Sequence, residues 1–589
     1  MDQAGGQSEE QRSRFVTFGS AVRALVKYRP VLVTVVAVRL IVLLVPGRSA
    51  NPSSTGTSAT TTNAAQSSAS VSGYGAASVG KSAALGAPNC NRALGQIKMP
   101  TIYAPPCVAP FPDGASNGGA TSQGVSAKTI KVVLYLPANG PETAALNAAG
   151  LTESASEQIA QVEGAATLFE DHVELYGRKI QVIPFMSSVT EVGTNSAAIE
   201  EANADAIQVA TQVKPFLSLA IGTTQDNYDL DVAQRGVIDF SEYPWDDATY
   251  QHTAPYLWGE YDNQYIFDAL AAYLGKRVWG HQASYAGSTQ YTHERRKLGV
   301  IYSTASFTSA DLAQFNADAA RYGIKFTAEV GVNDADASAI AQQAQTAVIK
   351  LQQEGVTTVV PLTALYGLVD SATAATKQAW FPEWIVNPFG FADSDQIAQL
   401  MDQAQWKHAF GITSITPAID PPGDDQNGVG LWEWQYHDSP PGTATYAALA
   451  ISYLSKIVTA LELAGPDLTP SSFRTGMFDA PPRGGAFIGG AATGAVAFGS
   501  HGIWPTPSYV SANDFTQEYW SQSTSCASSD GKLQHGCYLF TNDAKRYFWN
   551  QWPSGQPNVF TFAPTDITNF HGVAPPNERA PSYTESSNS

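Results

Sequence analysis

Few residues in this chain stand at spacings that support catalysis. Gly114-Ala115-Ser116-Asn117-Gly118 matches the Gly-x-Ser-x-Gly string of nucleophilic serines. That chemistry needs a strand before the serine and a helix after it. Here the string lies in a Pro/Gly-rich stretch ahead of the first strand, so a flexible loop is the reading. No Gly-x-x-x-x-Gly-Lys-[Ser/Thr] phosphate loop exists, and Gly489–Gly494 is glycine-rich without strand–helix context. Asp334 and Asp336 stand like the start of a calcium loop but lack its glycine and terminal glutamate. They cap the next helix or face solvent. His281 and His293 have no metal-ligand spacing, and the cysteines Cys90, Cys107, Cys526 and Cys537 form no CxxC. No catalytic residue, metal or cofactor is assigned.

What stands out instead is a set of polar or aromatic loops, each following an apolar run. Gly222-Thr223-Thr224-Gln225 follows Leu217–Ile221, and Ser241-Glu242-Tyr243 follows Val237–Phe240. Ser303–Phe307 follows Leu298–Tyr302, Leu362–Gly367 (with Thr363 and Tyr366) follows Val356–Pro361, and Pro388-Phe389-Gly390-Phe391 follows Glu383–Asn387. A Gly-Thr-Thr turn offers backbone N–H groups and hydroxyls to an anion such as a carboxylate. Hydroxyls from one block and aromatics from the other would converge on a cleft. The alternative is that the aromatics plug the core and the hydroxyls cap helices.

The runs that carry these loops read as buried strands. Ile130–Leu136, Lys179–Phe185 and Lys325–Val330 belong with them, and amphipathic helices lie between most. Short apolar strands separated by helices predict parallel sheets covered on both faces. Such sheets bind ligands at the carboxyl ends of their strands. Predicted helices carry Ile159–Tyr176, Tyr265–Tyr273, Leu312–Ala319, Ile340–Leu351 and Tyr446–Ala464, with Ser309, Ser338 and Ser394 as N-caps. The alternation pauses at the polar stretch Gly280–Glu294 and restarts at Leu298.

The chain has 589 residues, a formal net charge of −19 and 14% charged residues. The length predicts two or more domains. The acidic balance, without a Lys/Arg cluster in the globular part, argues against nucleic acid. Residues 1–50 hold a basic leader and the apolar Val31–Val45, a signal peptide or membrane anchor. Residues 51–88 are Ser, Thr, Ala and Gly and predict a disordered linker. Residues 89–124 form a Pro/Gly-rich collar. Lobe 1 is expected over 125–280 with a return segment near 443–510, and lobe 2 over 295–420 with additions near 511–563. Residues 564–589 are expected to be loose. For an exported chain two loop-closing disulfides, Cys90 with Cys107 and Cys526 with Cys537, are the better reading; four unpaired thiols are the alternative.

The order of elements resembles a family, the type I periplasmic solute-binding proteins, specifically the leucine/isoleucine/valine-binding branch of ABC importers. Gly124–Val132 is similar to that family's opening strand, and Glu163–Ile183 to its first helix and second strand. Gly222-Thr223-Thr224 matches its ligand-carboxylate loop in position, and Tyr446–Gly465 the helix that returns to the first lobe. The resemblance spans Gly124 to Pro482. It departs at Phe307, where the family usually has tyrosine, at Pro137–Pro141, which lacks the usual Gly-rich polar run, and in the extra Asp420–Gly442 insertion and C-terminal tail. The resemblance implies two Rossmann-like lobes with parallel sheets joined by a hinge, closing like a Venus flytrap on a small solute without catalysis. It implies delivery to a membrane ABC permease. By loop position it places Thr223, Thr224, Ser241 and Glu242 at the ligand from lobe 1, and Phe307, Thr363, Tyr366, Phe389 and Gly390 from lobe 2. The same clamshell could serve as a sensor ectodomain; an exported hydrolase is a further alternative.

Overall fold

The computed structural model describes residues 73–138, 153–189, 196–221, 226–241, 245–334, 336, 338–420, 428–501, 503–527, 533–571 and 574–583. The leader and anchor expected over 1–50, and Thr223, Thr224 and Glu242, lie outside the described residues.

The first lobe runs β1 (Thr129–Leu136), α1 (Ala155–Glu170), β2 (Lys179–Met186), α2 (Ser196–Gln208), β3 (Leu217–Ala220), α3 (Asp226–Gln234), β4 (Ile238–Ser241), α4 (Asp247–Thr253) and β5 (Leu257–Gly259). Its strands are all parallel, in the order β2-β1-β3-β4-β5. Strand β1 shows why its sequence is apolar without alternation. Successive side chains point to opposite faces. Ile130, Val132 and Leu134 pack with Val162, Leu168 and Phe169 of α1. Val133 and Tyr135 pack on the other face with Ala202 of α2 and Val232 of α3. Helix α1 starts where a capping box fixes it: Ser154 Oγ accepts the Glu157 N–H at 3.3 Å, and Glu157 Oε2 accepts the Ser154 N–H at 3.0 Å.

The second lobe runs α5 (Asn263–Tyr273), β6 (Leu298–Ser303), α6 (Ser309–Ala320), β7 (Ala328–Val332), α7 (Ile340–Gln353), β8 (Thr358–Leu362), α8 (Leu365–Lys377), β9 (Glu383–Val386), α9 (Asp395–Leu400) and β10 (Ala409–Thr413). Its parallel strands take the order β7-β6-β8-β9-β10, the arrangement of the first lobe repeated. The chain then returns through α10 (Val429–Tyr436), α11 (Ala444–Ala464) and α12 (Pro470–Asp479), all against the first lobe. It comes back as β11 (Asp514–Ala527) and β12 (Leu533–Phe540), an antiparallel hairpin that extends the second sheet beyond β10. The fold is therefore α/β with two Rossmann-like lobes. The chain passes between them at Glu260–Asp262, Ser414–Pro417 and Ser511–Asn513. Disulfides join Cys90 to Cys107 and Cys526 to Cys537.

Several expectations are corrected. The first lobe ends near Gly259 rather than at residue 280: Phe267, Leu270 and Tyr273 of α5 pack with Leu298 and Val300 of β6 and with Phe315 of α6. The polar stretch after it also belongs to the second lobe, where Ala283, Ala286 and Tyr291 are buried. The linker expected over 51–88 is ordered at its described end. A short helix spans Ser82–Leu85, Ala84 is buried, and Gly75 at φ +58 lies so close to Leu463 that a Cβ would come 2.5 Å from its carbonyl oxygen. The tail expected to be loose from 564 pairs Asn569–His571 in parallel with Ala418–Asp420 and buries Glu578. The Asp420–Gly442 loop contains α10, whose Trp432 occupies the space that a side chain at Gly164 would need. Thr308, not Ser309, caps α6, and Asp336, not Ser338, accepts the first N–H groups ahead of α7. Helix α11 is long and apolar enough to cross a membrane, and 67% of its most apolar window is buried inside the protein, as in a core helix.

Candidate functional site

At the carboxyl ends of β6, β8 and β9 the second lobe gathers most of the residues that sequence position nominated. Ser303 donates its hydroxyl to Asp334 Oδ1, and Asp334 Oδ2 accepts the Ala364 N–H at 2.8 Å. Burial pushes the Asp334 carboxyl up from its ordinary value, against those hydrogen bonds. The loop after β8 is thereby tied to the loop after β6. Gly390, at φ +64, comes so close to this loop that a Cβ would sit 2.5 Å from the Thr363 carbonyl oxygen. Only glycine suits that position. Thr363 is 1% exposed, and its Oγ1 has no hydrogen-bond partner among the described residues. Phe307 and Phe389 lie with ring centroids 4.5 Å apart, backed by Phe267 at 5.4 Å from Phe307. Both are buried, so the pair forms a rigid floor. Tyr366, in the first turn of α8, is 41% exposed. Thr363, Phe307, Phe389 and Gly390 are thus brought together.

In the first lobe, Ser241 ends β4 and is fully buried, donating to Asp229 Oδ2 at 2.7 Å. Its hydroxyl serves the interior. Below it lies a polar core: the Tyr135 and Tyr228 rings stack at 3.7 Å, and Tyr135 Oη donates to Asp205 Oδ2 at 2.8 Å. Two sequence features dismissed as chemistry find structural roles. Ser116 lies in a loop beside Asn117, whose Nδ2 donates to the Tyr176 carbonyl at 2.8 Å. The glycine-rich Gly489–Gly494 turn does cradle a carboxylate, but the chain's own: Glu578 Oε1 accepts the N–H groups of Ala491 at 2.7 Å and Ala492 at 3.1 Å.

A cavity of about 510 Å³ opens on the segments that cross between the lobes. Such a volume is within the range of small-molecule sites, about 300–1,000 Å³. Glu260, Tyr261, Ile415, Pro417, Ser511 and Ala512 line it from the crossings. One face of α11 supplies Ala448, Ser452 and Lys456, and the return segment supplies Met477, Arg483 and Val496. The crossings are pinned electrostatically. Lys456 pairs with Glu260, whose Oε2 also accepts the Ser511 hydroxyl at 2.6 Å. Arg546 pairs with Asp514 at 2.9 Å and donates to the carbonyls of Ser414 at 2.7 Å and Ile415 at 3.1 Å. Ser414 in turn donates to Tyr261 Oη at 3.0 Å. None of the described residues nominated for the site lines this cavity. Sequence reasoning missed its charged members. The one signal was their isolation: Glu260, Lys456 and Arg483 each stand in apolar or Gly/Pro-rich surroundings, in a chain with 14% charged residues.

No protein-family model matches the chain, and no curated protein matches it. Among solved structures, a solute-binding protein of an ABC transporter from Rhodopseudomonas palustris BisB5, in complex with 3,4-dihydroxybenzoic acid, is 12% identical, with 71% of this chain and 97% of that one covered and a TM-score of 0.44. An ABC transporter substrate-binding protein from Desulfitobacterium hafniense, in complex with leucine, is 13% identical over 72% of this chain and 100% of its own, with a TM-score of 0.41. The branched-chain amino acid transporter substrate-binding protein of Streptococcus pneumoniae, in complex with isoleucine, is 13% identical over 70% of this chain and 100% of its own, with a TM-score of 0.44.

Proposed function

We propose that this chain is an extracytoplasmic solute-binding protein that clamps a small polar solute between its lobes and presents it to a membrane ABC permease. One observation carries the reading. The strand order 2-1-3-4-5 occurs twice, in lobes joined by three crossings, Glu260–Asp262, Ser414–Pro417 and Ser511–Asn513. Two doubly wound sheets each offer a ligand crevice at their strand ends, and a small set of crossing segments is the setting for hinge closure. In the second lobe Thr363, Gly390 and Tyr366 would meet the solute over the Phe307–Phe389 floor. In the first lobe Thr223, Thr224 and Glu242 would meet its carboxylate or amide end, with Ser241 buttressing the loop. The apolar Val31–Val45 would export the chain or hold it at the membrane, with the Ser/Thr-rich segment as tether.

The test is a thermal-shift screen of amino acids, amides and aromatic acids. A ligand present at about 100 times its Kd should add roughly 2.7 kcal/mol of stability. The Thr223→Val variant should then bind the hit about 1–3 kcal/mol more weakly, through a polar partner left unsatisfied. A screen in which no solute moves the midpoint rejects the reading.

A further inference from the structure

The cavity on the crossings is built from parts that the strand-end cleft does not use. Its walls come from α11, from the return segment between α12 and β11, and from the crossings themselves. Most of that wall is apolar: Ile415, Pro417, Leu449, Met477, Val496 and Phe498. Its charges do not cancel. The Glu260 carboxylate is taken by Lys456 and Ser511, and the Asp514 carboxylate by Arg546 and by the N–H groups of Ala486 at 2.7 Å and Ala495 at 2.9 Å. Arg483 is left over. Its backbone is fixed on both sides by Val496, the N–H donating at 3.0 Å and the carbonyl accepting at 2.8 Å. Among the described residues its guanidinium makes no ion pair or hydrogen bond, and Nη1 is buried without a partner. Glu462 is the carboxyl whose charge acts on it. Burial pushes Glu462 up to about 8, and its Oε2 makes no hydrogen bond to the guanidinium. Burial also lowers Arg483, to about 10, where it remains a cation at neutral pH. A guanidinium whose buried N–H groups lack a hydrogen-bond partner is costly, and a carboxylate can satisfy it through two parallel hydrogen bonds.

We propose that this cavity is a second binding site, separate from the strand-end cleft, for a monocarboxylate with an apolar body, its carboxylate on Arg483 and its body along α11. Isothermal titration of the full-length chain at neutral pH with octanoate, octanamide and octylamine tests it. Octanoate should bind at least tenfold more tightly than octylamine. The Arg483→Gln variant should lose at least tenfold for octanoate while octanamide is unchanged. Ala448→Trp, which fills the cavity from the α11 side, should abolish both. Octanoate binding no tighter than octylamine, or unaffected by Arg483→Gln, overturns the proposal. The three-ligand comparison on the unaltered chain decides even if Arg483→Gln does not fold. Thr363→Val should leave octanoate binding intact, and Ala448→Trp should leave strand-end solute binding intact. The two sites therefore fail separately.

Discussion

In the second lobe the Arg296 guanidinium lies fully buried against Glu383, with Nε to Oε2 at 2.7 Å and Nη2 to Oε1 at 2.9 Å. Thr358 Oγ1 and the Tyr285 N–H complete the carboxylate at 2.6 and 3.0 Å. In the first lobe Asp239, also fully buried and also on a central strand, has no cation beside it among the described residues, and the Ser218 hydroxyl is the group that favours its charged form. The nearby Ser218 hydroxyl lies 2.9 Å from Tyr228 Oη. Two strands in sheets of one topology thus bury a carboxyl by different means. Glu383 is compensated by a cation, whereas burial drives the Asp239 carboxyl well above its ordinary range. Topology decides where strands lie. The local partners decide which buried carboxyl responds to pH.

The comparison breaks most readily at Arg296. Arg296→Met strands Glu383 in the core and should cost about 3–5 kcal/mol, read by chemical denaturation; the double variant Arg296→Met/Glu383→Leu should recover most of it. Asp239→Asn should cost less, because it strands no charged partner and removes a carboxyl whose charged form burial disfavours. Next in size is the hairpin that only the second sheet possesses. Removing its disulfide with Cys526→Ser and Cys537→Ser should cost about 2–4 kcal/mol in the same assay.

The pH arm sharpens the contrast. Glu462, against the first lobe, is raised from 4.5 to about 8 by burial. Between those values the folded chain holds a proton that the unfolded chain releases, so stability falls as pH rises through the window. The slope is at most about 1.4 kcal/mol per pH unit for one such group. Glu462→Gln and Asp239→Asn should each flatten a plot of midpoint against pH, whereas a plot as steep as the unaltered chain's would refute the assignment. The smallest effect is expected at the start of α11, where Thr443 accepts the Tyr446 N–H at 3.3 Å. Thr443→Ala should cost about 1 kcal/mol at any pH, giving a pH-independent control.

Legibility in the sequence followed the polarity of what was buried. The expected strand Leu298–Tyr302 falls within β6, and Ile130–Leu136 within β1, because both bury apolar side chains on two faces. Gly531-Lys532 reads as a hairpin turn between short strands, and β11 and β12, on either side of it, pair; the full length of β11 is hidden because its buried residues include Asp514, Thr516, Gln517 and Glu518. Strand β5, Leu257–Gly259, is too short to show a period. The strand expected over Lys325–Val330 starts later and ends later, at Ala328–Val332.

By itself the sequence determined the two-block α/β class and the helix over Tyr446–Ala464, because both rest on local periodicity; it favoured the two local cysteine pairs without deciding them. Only the tertiary structure decided where one lobe yields to the other, that the tail folds back through Glu578, and that Arg483 lines a cavity with Nη1 unpartnered among the described residues. Those outcomes depend on contacts between residues far apart in the chain. A charged side chain reads the same in sequence whether water, an ion pair or nothing at all awaits it.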